Sequence, residues 1–472
     1  MFGLKSDVKS NVHYAEENVV IYPCGHSVVL LNLETRTQQL IHGTSSGVIT
    51  ALALTPNRRF LAISESAHSG KGAGAVNIYD AVSLKRRKML IYAELGSPSI
   101  ICAAFSGDGR FCLTQGGAPE WKLVLWTAEK AAKVICAVKV SSPGVNGDPA
   151  PAVSQADFCP ADGSVVCVTG ERILRFFRIM DAQFKPLPLN LKMELQTYTC
   201  HCWLMGEKVA VATDQGDLLI FENFEFRTVL ASSPGDGQSV TSMAAFSKGF
   251  VAGGSEGCLR VYEQSDDPRE FFKCIKTFRI NGNTSFITNL AVSPGEDSLA
   301  LTTSNNQIYS FALSNTDILK EDTMNFEHIM GPFPMPGKNR SGPSAARVNG
   351  VDVCTWKPLV ATVSMDLGLR LWNYQEKSLE LLKFFEETPV GVSLHPSGLF
   401  ILIAFKEKVR LYSILMEDVR ELKELTVKHC RTVSFSKGGQ YFAFASNTQV
   451  HVYNTYTCQM IAPLKGNQGK VR

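Results

Sequence analysis

The sequence lacks long apolar stretches and a strong excess of either charge. Its longest apolar run, Leu399–Phe405, has the length of a strand and is too short to cross a membrane. A net charge of +3 over 472 residues gives no electrostatic reason to expect nucleic acid or a membrane as a partner. Residues Met1–Ser10 carry charge without an apolar core, so we do not expect a signal peptide there.

Paired-cysteine motifs are also missing. None of the 13 cysteines forms a C-x-x-C pair, and most lie inside apolar runs, which predicts reduced, buried thiols in a cytosolic protein. Cys200 and Cys202 flank His201 at alternate positions of one predicted strand. Such a straight segment would need a second cluster to surround a metal ion. We therefore predict no metal site and no cofactor.

Glycine-rich segments imitate two catalytic motifs but lack the elements that those motifs require. Gly43–Gly47 and Gly253–Gly257 match G-x-S-x-G, yet an apolar strand follows each, where a nucleophile elbow needs a helix. Gly70–Gly74 lacks the spacing of a phosphate-binding loop and is also not followed by a helix. The sequence therefore predicts no catalytic residue and a protein that is not an enzyme.

What the sequence does contain is a short apolar strand that recurs ten times and in most copies ends at an aromatic residue. Successive copies lie roughly 40 to 60 residues apart, the period of four-stranded sheets with insertions. The copies are Val28–Leu31, Val76–Asp80, Leu123–Trp126, Leu174–Phe177, Leu218–Glu222, Leu259–Glu263, Ile308–Phe311, Leu369–Trp372, Val409–Tyr412 and Val450–Tyr453.

A turn signal recurs in phase with these strands. An apolar residue is followed by Ser, Thr or His and then by Pro, Gly or another turn residue, as in Leu54–Arg59, Phe105–Arg110 and Leu394–Gly398. The residues after each turn, such as Phe400–Leu402, are continuously apolar. That pattern predicts a strand buried on both faces, the inner strand of a small sheet.

One copy carries a complete polar pattern. Within Val363–Asn373 we predict a β-hairpin in which Ser364, Asp366, Arg370 and Trp372 follow the Ser-x-Asp-x-x-x-Arg-x-Trp order of a WD repeat. A turn aspartate accepts hydrogen bonds from backbone N–H groups, and the Trp at the end of the third strand is expected to fill the space between sheets.

Together the two signals give ten units, which start near residues 11, 48, 100, 153, 198, 239, 285, 345, 389 and 430. Most propellers have four to eight blades. We therefore predict an all-β fold with a seven-bladed WD40-type β-propeller over 1–331, a linker over 332–344 and about three blades of a second propeller over 345–472. The Pro- and Gly-rich interval Asn315–Ala346 fits that linker, and also fits a surface loop in one larger ring. Because Leu464–Arg472 resembles the entry to another blade, we expect further chain to follow.

The sharpest charge run is Lys85, Arg86, Arg87 and Lys88, at the predicted turn into the fourth strand of the second unit. This run fits a contact with an acidic partner such as a tubulin tail. It equally fits a solvated turn whose charges keep an outer strand from pairing with another chain.

With the repeats laid out, Pro56–Glu65, Val166–Gly170, Lys357–Thr362, Leu369–Tyr374 and Ser393–Gly398 resemble the axonemal WD-repeat family of cilia- and flagella-associated protein 57, also called WD-repeat protein 65. The resemblance extends over almost the whole chain. It implies a structural protein of motile cilia on doublet microtubules, with two propellers followed by a long coiled coil. No heptad region is present here, so dimerisation stays open.

The function expected from this resemblance is a non-catalytic scaffold of the cilium or flagellum axoneme. Its partners would be inner dynein arm subunits and axonemal regulatory complexes, with tubulin as a further candidate. The alternative is a cytosolic WD-repeat adaptor, either a ubiquitin-ligase receptor or a trafficking scaffold.

Overall fold

A computed structural model of the protein describes residues 3–466 apart from 44–46, 68–71, 129–132, 144–148, 190–193, 231–238, 266–270, 281–284, 314–326, 331–347, 377 and 417. The predicted linker over 332–344 lies outside the described residues, as do most of the interval Asn315–Ala346 and the centre of Gly43–Gly47. The chain divides into two compact units, Met1–Ser341 and Gly342–Arg472.

The described residues contain forty β-strands in ten antiparallel sheets of four. Within every sheet the strands are neighbours in chain order, so each sheet is a meander in which three hairpins follow one another. Short 3₁₀ turns occur at Ala93–Leu95 and Ser255–Gly257. Across the described ranges, no helix is long and apolar enough to span a membrane.

The first unit holds sheets 1 to 7. Sheet 1 is His13–Glu16 (β1), Val19–Cys24 (β2), Ser27–Asn32 (β3) and Gln38–His42 (β4), and sheet 2 is Ile49–Leu54 (β5), Phe60–Glu65 (β6), Ala75–Asp80 (β7) and Arg86–Ile91 (β8). Sheet 3 is Ile100–Phe105 (β9), Phe111–Gly116 (β10), Lys122–Thr127 (β11) and Val134–Lys139 (β12), and sheet 4 is Val153–Phe158 (β13), Val165–Gly170 (β14), Ile173–Met180 (β15) and Gln183–Leu187 (β16). Sheet 5 is Tyr198–Leu204 (β17), Lys208–Thr213 (β18), Leu218–Glu222 (β19) and Glu225–Leu230 (β20), and sheet 6 is Val240–Phe246 (β21), Gly249–Gly254 (β22), Cys258–Gln264 (β23) and Phe272–Arg279 (β24). Sheet 7 is Ile287–Val292 (β25), Ser298–Thr303 (β26), Ile308–Ala312 (β27) and Glu327–Met330 (β28).

The second unit holds sheets 8 to 10. Sheet 8 is Val348–Val353 (β29), Leu359–Ser364 (β30), Gly368–Asn373 (β31) and Ser378–Phe384 (β32). Sheet 9 is Gly391–Leu394 (β33), Phe400–Ala404 (β34), Lys408–Ile414 (β35) and Val419–Thr426 (β36), and sheet 10 is Cys430–Phe435 (β37), Tyr441–Ser446 (β38), Gln449–Asn454 (β39) and Met460–Leu464 (β40). The first strands of neighbouring sheets contact one another in both units.

Burial falls from the inner to the outer strands of a sheet, as the sequence pattern requires. Every residue of β14 is buried, because neighbouring sheets cover both of its faces. In the outer strand β20, exposed and half-buried residues alternate, since only one face packs against the protein. The cores are therefore apolar layers between consecutive sheets.

Sheet 7 packs against sheet 1, which closes the first seven sheets into a ring. Val12 and Tyr14 share an apolar cluster with Ala300 and Ile308. The Tyr14 hydroxyl lies 3.2 Å from Ser298 Oγ, and Asn289 Nδ2 donates to the Val12 carbonyl at 3.2 Å. The prediction of an all-β, WD-type propeller with seven blades, followed by three further blades, is confirmed.

A threonine near the start of the first strand connects several sheets to the next. Thr50 Oγ1 donates to the carbonyl of Ile100 at 2.6 Å, and Thr199 Oγ1 donates to the carbonyl of Val240 at 2.6 Å. Thr241 Oγ1 makes the same bond to the carbonyl of Ile287. Each bond joins the first strands of adjacent sheets, so the hydroxyl acts as a latch between blades.

Candidate functional site

The WD hairpin of sheet 8 is a buried ion pair inside a tight turn. Arg370 Nη2 lies 2.5 Å from Asp366 Oδ2, and Arg370 Nη1 donates to Ser364 Oγ at 2.9 Å. Asp366 Oδ1 accepts the backbone N–H of Gly368 at 3.0 Å and the hydroxyl of Ser364. Only 3% of the Asp366 side chain and 6% of the Arg370 side chain are exposed. This cluster therefore fixes the turn and offers little surface to a partner.

Trp372 lies near the end of β31 and is half-buried. Its indole N–H donates to Thr362 Oγ1 on β30 at 2.9 Å. Trp126 of sheet 3 makes the equivalent bond to Thr114 Oγ1 at 2.9 Å, and it lies in the apolar cluster between sheets 2 and 3. The tryptophans thus hold the second and third strands of a sheet together through one side-chain hydrogen bond.

The basic run lies where the structure has a surface groove. Lys85, Arg86 and Arg87 are exposed at the start of β8, and Lys88 is half-buried. Arg87 and Lys88 line a cavity of about 490 Å³ between sheets 2 and 3. We call this cavity the basic groove. It is lined by Thr55, Asn57, Arg59, Phe60, Ile78, Asp80, Arg87, Lys88, Phe105, Asp108, Gly109, Arg110 and Ala128.

Short-range contacts fix the polar groups of the basic groove. Arg87 Nη2 lies 2.9 Å from Asp80 Oδ2, and Lys88 Nζ donates across the seam to the carbonyl of Ala128 at 2.6 Å. Hydrogen bonds from the Ser83 backbone and then from Arg87 lower the pKa of Asp80 to about 2, so its carboxylate is charged at neutral pH.

The carboxylate on the other wall is also engaged by its own turn. Asp108 Oδ1 accepts the Ser106 hydroxyl at 2.6 Å and the backbone N–H of Arg110 at 3.0 Å. The Arg110 guanidinium lies 3.7 Å from Asp108 Oδ2 and is 67% exposed. Both acids of the groove therefore act first as turn-forming residues.

Sequence reasoning missed Arg59 and Arg110, which complete the basic groove from two different sheets. They occupy the same position in the recurring turn, directly before Phe60 of β6 and Phe111 of β10. Their equivalent in sheet 7 is an acid, Asp297. Aligning the units with one another would have revealed two arginines on adjacent blades, whereas a search for local charge runs could not.

The segment Cys200–Cys202 contributes to two different cores. Cys200 and Cys202 pack against sheet 6, while His201 faces the other way, with its Nδ1 2.9 Å from Thr169 Oγ1 of sheet 4. Burial lowers the pKa of His201 to about 3 and raises that of Cys200 to about 12. Within the described part of the chain, no group of three His, Cys, Asp or Glu side chains converges as a metal site would require.

Ser255, the centre of Gly253–Gly257, lies in a 3₁₀ turn between β22 and β23. The segment after the turn is a strand, so Ser255 does not have the strand–turn–helix setting of a nucleophile elbow.

Comparison with known proteins finds relatives over the whole chain. The sequence is 31% identical to cilia- and flagella-associated protein 57 of Mus musculus and 28% identical to cilia- and flagella-associated protein 57 A of Tetrahymena thermophila. Both alignments include 100% of this chain and 40% of the relative, so the chain spans less than half the length of these proteins. Cilia- and flagella-associated protein 44 of Mus musculus is 22% identical over 86% of this chain and 22% of its own length. No protein-family model matches the sequence.

Proposed function

This chain is a relative, over its full length, of cilia- and flagella-associated protein 57, and we propose that it is a non-catalytic scaffold of the ciliary or flagellar axoneme. In this role it docks inner dynein arms and regulatory complexes on the doublet microtubules. The observation that carries the proposal is the similarity, over the full length of this chain, to proteins named for cilia and flagella.

The fold suits such a role. Ten small sheets with buried inner strands form rigid blades, while the turns and connections between strands are free to vary in sequence. The described polar clusters serve the turns and the seams between sheets, as the Asp366–Arg370 pair and the Thr199 latch do. A scaffold needs this combination, because it must present surface residues in fixed positions without reacting with its partners.

Axoneme extraction tests the proposal. The chain, tagged in a ciliated cell, is expected to remain with isolated axonemes after detergent, and to leave only at the salt concentration that strips its partner complexes. Crosslinking before extraction identifies those partners, and inner dynein arm subunits are expected among them. Absence of the chain from axonemes, together with a soluble cytosolic complex, would favour the alternative of a general WD-repeat adaptor.

A further inference from the structure

We propose that the basic groove between sheets 2 and 3 binds an acidic peptide segment of a protein partner. The groove would hold carboxylate or phosphate oxygens between Arg59, Lys88 and Arg110. This inference rests on the proposed docking role for its biological setting, and it names one docking site and the chemistry of what docks there. The binding itself is measured on the purified chain, without cilia.

The balance of charge in the groove favours an anion. Among the described residues that line it are four basic side chains, Arg59, Arg87, Lys88 and Arg110, and two carboxylates, Asp80 and Asp108. Both carboxylates are held by hydrogen bonds to backbone N–H groups of their own turns. They therefore offset only part of the positive charge of these four side chains, and Asp80 forms an ion pair with Arg87.

The position of Arg59 suits an anionic ligand. A guanidinium has five N–H donors in one plane. Lys88 Nζ donates to the Ala128 carbonyl, and the guanidinium of Arg59 lies over the Phe60 ring, 5.5 Å from its centroid. Because a cation over a ring face keeps its edge N–H groups available, Arg59 is placed to bind an oxyanion without leaving Phe60.

The floor of the groove is rigid and apolar. Phe60, Ile78 and Phe105 line it and also belong to the apolar cluster that joins sheets 2 and 3 around Trp126. A cavity of about 490 Å³ accommodates a few residues of an extended peptide. Such a peptide could place its acidic groups on the basic rim and its backbone or aliphatic carbons on the floor.

The shape and local charge favour a peptide over nucleic acid. The basic side chains that the structure describes in the groove meet at one seam between two sheets, whereas a phosphate backbone is typically bound along an extended stripe of basic residues. Arg86 does not contribute to the groove, because it pairs with Tyr79, which packs in the apolar cluster between sheets 1 and 2. The position directly before the second strand is also basic in sheet 6, at Lys248. Among the ten described sheets, however, only sheets 2 and 3 are neighbours that both carry a basic residue there, and the groove lies between them.

Fluorescence anisotropy with the full 472-residue chain tests the proposal. The probes are a labelled oligoglutamate peptide, a phosphoserine peptide of equal length, an oligoglutamine peptide and an oligouridine RNA. We expect at least one acidic peptide to bind, with an affinity that falls as salt rises, and the oligoglutamine peptide not to bind. Whichever acidic peptide binds more tightly identifies carboxylate or phosphate as the group recognised.

The double variant Arg59→Gln/Arg110→Gln is expected to weaken acidic-peptide binding about tenfold or more. Its matched control, Arg431→Gln/Lys437→Gln, removes two exposed basic residues from sheet 10 and should bind like the original chain. Equal loss in both variants, no binding of either acidic peptide, or tighter RNA binding that requires Arg59 and Arg110 would overturn the proposal. If the chain is found on doublet microtubules but binds neither acidic peptide, the peptide-binding inference fails and the proposed axonemal function stands. If the chain is absent from axonemes, the proposed axonemal function fails, whatever the peptide measurements show.

Discussion

At the scale of single residues, Asp366 stabilises its hairpin through a buried ion pair with Arg370. Its carboxylate neutralises Arg370 in a setting where both side chains are almost fully buried. Replacing Asp366 with Ala leaves a buried guanidinium without its counter-ion, which typically costs ~3–5 kcal/mol. We expect the free energy of opening of β30 and β31 to fall by that amount, measured by hydrogen–deuterium exchange of peptides from Leu359–Asn373.

An exposed ion pair in the same unit supplies the control. Lys383 Nζ lies 2.8 Å from Asp418 Oδ1, and these side chains are 37% and 54% exposed. Asp418→Ala should cost under about 1 kcal/mol, because water screens the pair and replaces its hydrogen bonds. Similar losses for the two variants would mean that burial does not set the strength of the Asp366–Arg370 interaction.

His201 makes the first unit sensitive to acid. Its side chain is buried, and burial lowers its pKa from 6.5 to about 3. Between pH 6.5 and pH 3 this histidine is therefore protonated in the unfolded chain but neutral in the folded chain. Its contribution to the free energy of unfolding is greatest above pH 6.5 and decreases as the pH falls toward 3, by up to about 1.4 kcal/mol per pH unit. His201→Gln should have a smaller drop in melting temperature between pH 7 and pH 5 than the original chain, measured by calorimetry. An unchanged pH dependence would contradict this assignment.

Residue spacing explains which of these roles the sequence could predict. Ser364, Asp366 and Arg370 lie within one hairpin, so their order along the chain already implies their contact. Arg59 and Arg110 lie in turns of different sheets, and only the packing of sheet 2 on sheet 3 brings them to the same groove. The local sequence pattern therefore predicted the contacts within the turn, but it could not predict which residues meet in the groove.

At the scale of elements, the spacing of the apolar runs in the sequence predicts the positions of the strands. It does not predict the threonine hydrogen bonds that join neighbouring sheets. All ten predicted starts fall within a few residues of a first strand, from His13 of β1 to Cys430 of β37. A continuous apolar run predicts such strands because it requires cover on both faces. The threonine latches escaped prediction because one hydroxyl near a strand start has no distinctive sequence pattern, and its acceptor lies on the next sheet.

The latch at Thr199 can be tested with an isosteric change. Thr199→Val keeps the shape and the β-branch but leaves the Val240 carbonyl without this donor, which costs ~1–3 kcal/mol when the acceptor stays out of water. We expect a lower melting temperature and faster amide exchange at the start of β21. Thr228→Val on β20, the outer strand of the same sheet, is the control, and equal effects of the two changes would argue against a specific latch.

At the scale of the whole molecule, the ring of the first unit depends on one seam that joins residues near the start of the chain to sheet 7. Asn11 lies in this seam and is fully buried. Its Oδ1 accepts the Thr302 hydroxyl at 2.7 Å, and its Nδ2 donates to the Ser6 carbonyl at 3.2 Å. Repetition in the sequence predicted the number of sheets, but no repeated signal marks a closing contact that is made only once.

Because every sheet of a closed ring has two neighbours, opening one seam removes cover from sheets 1 and 7 and strains the remaining seams. Asn11→Ala should therefore lower the stability of the entire first unit by ~1–3 kcal/mol, since it leaves buried partners without their hydrogen bonds. Hydrogen exchange is expected to accelerate also in sheet 4, the part of the ring farthest along the chain from either side of the seam. Asn18→Ala, which removes an exposed hydrogen bond to Glu34 in sheet 1, should leave exchange in sheet 4 unchanged. If Asn11→Ala accelerates exchange in sheets 1 and 7 alone, the blades open independently and the ring does not unfold as one cooperative unit.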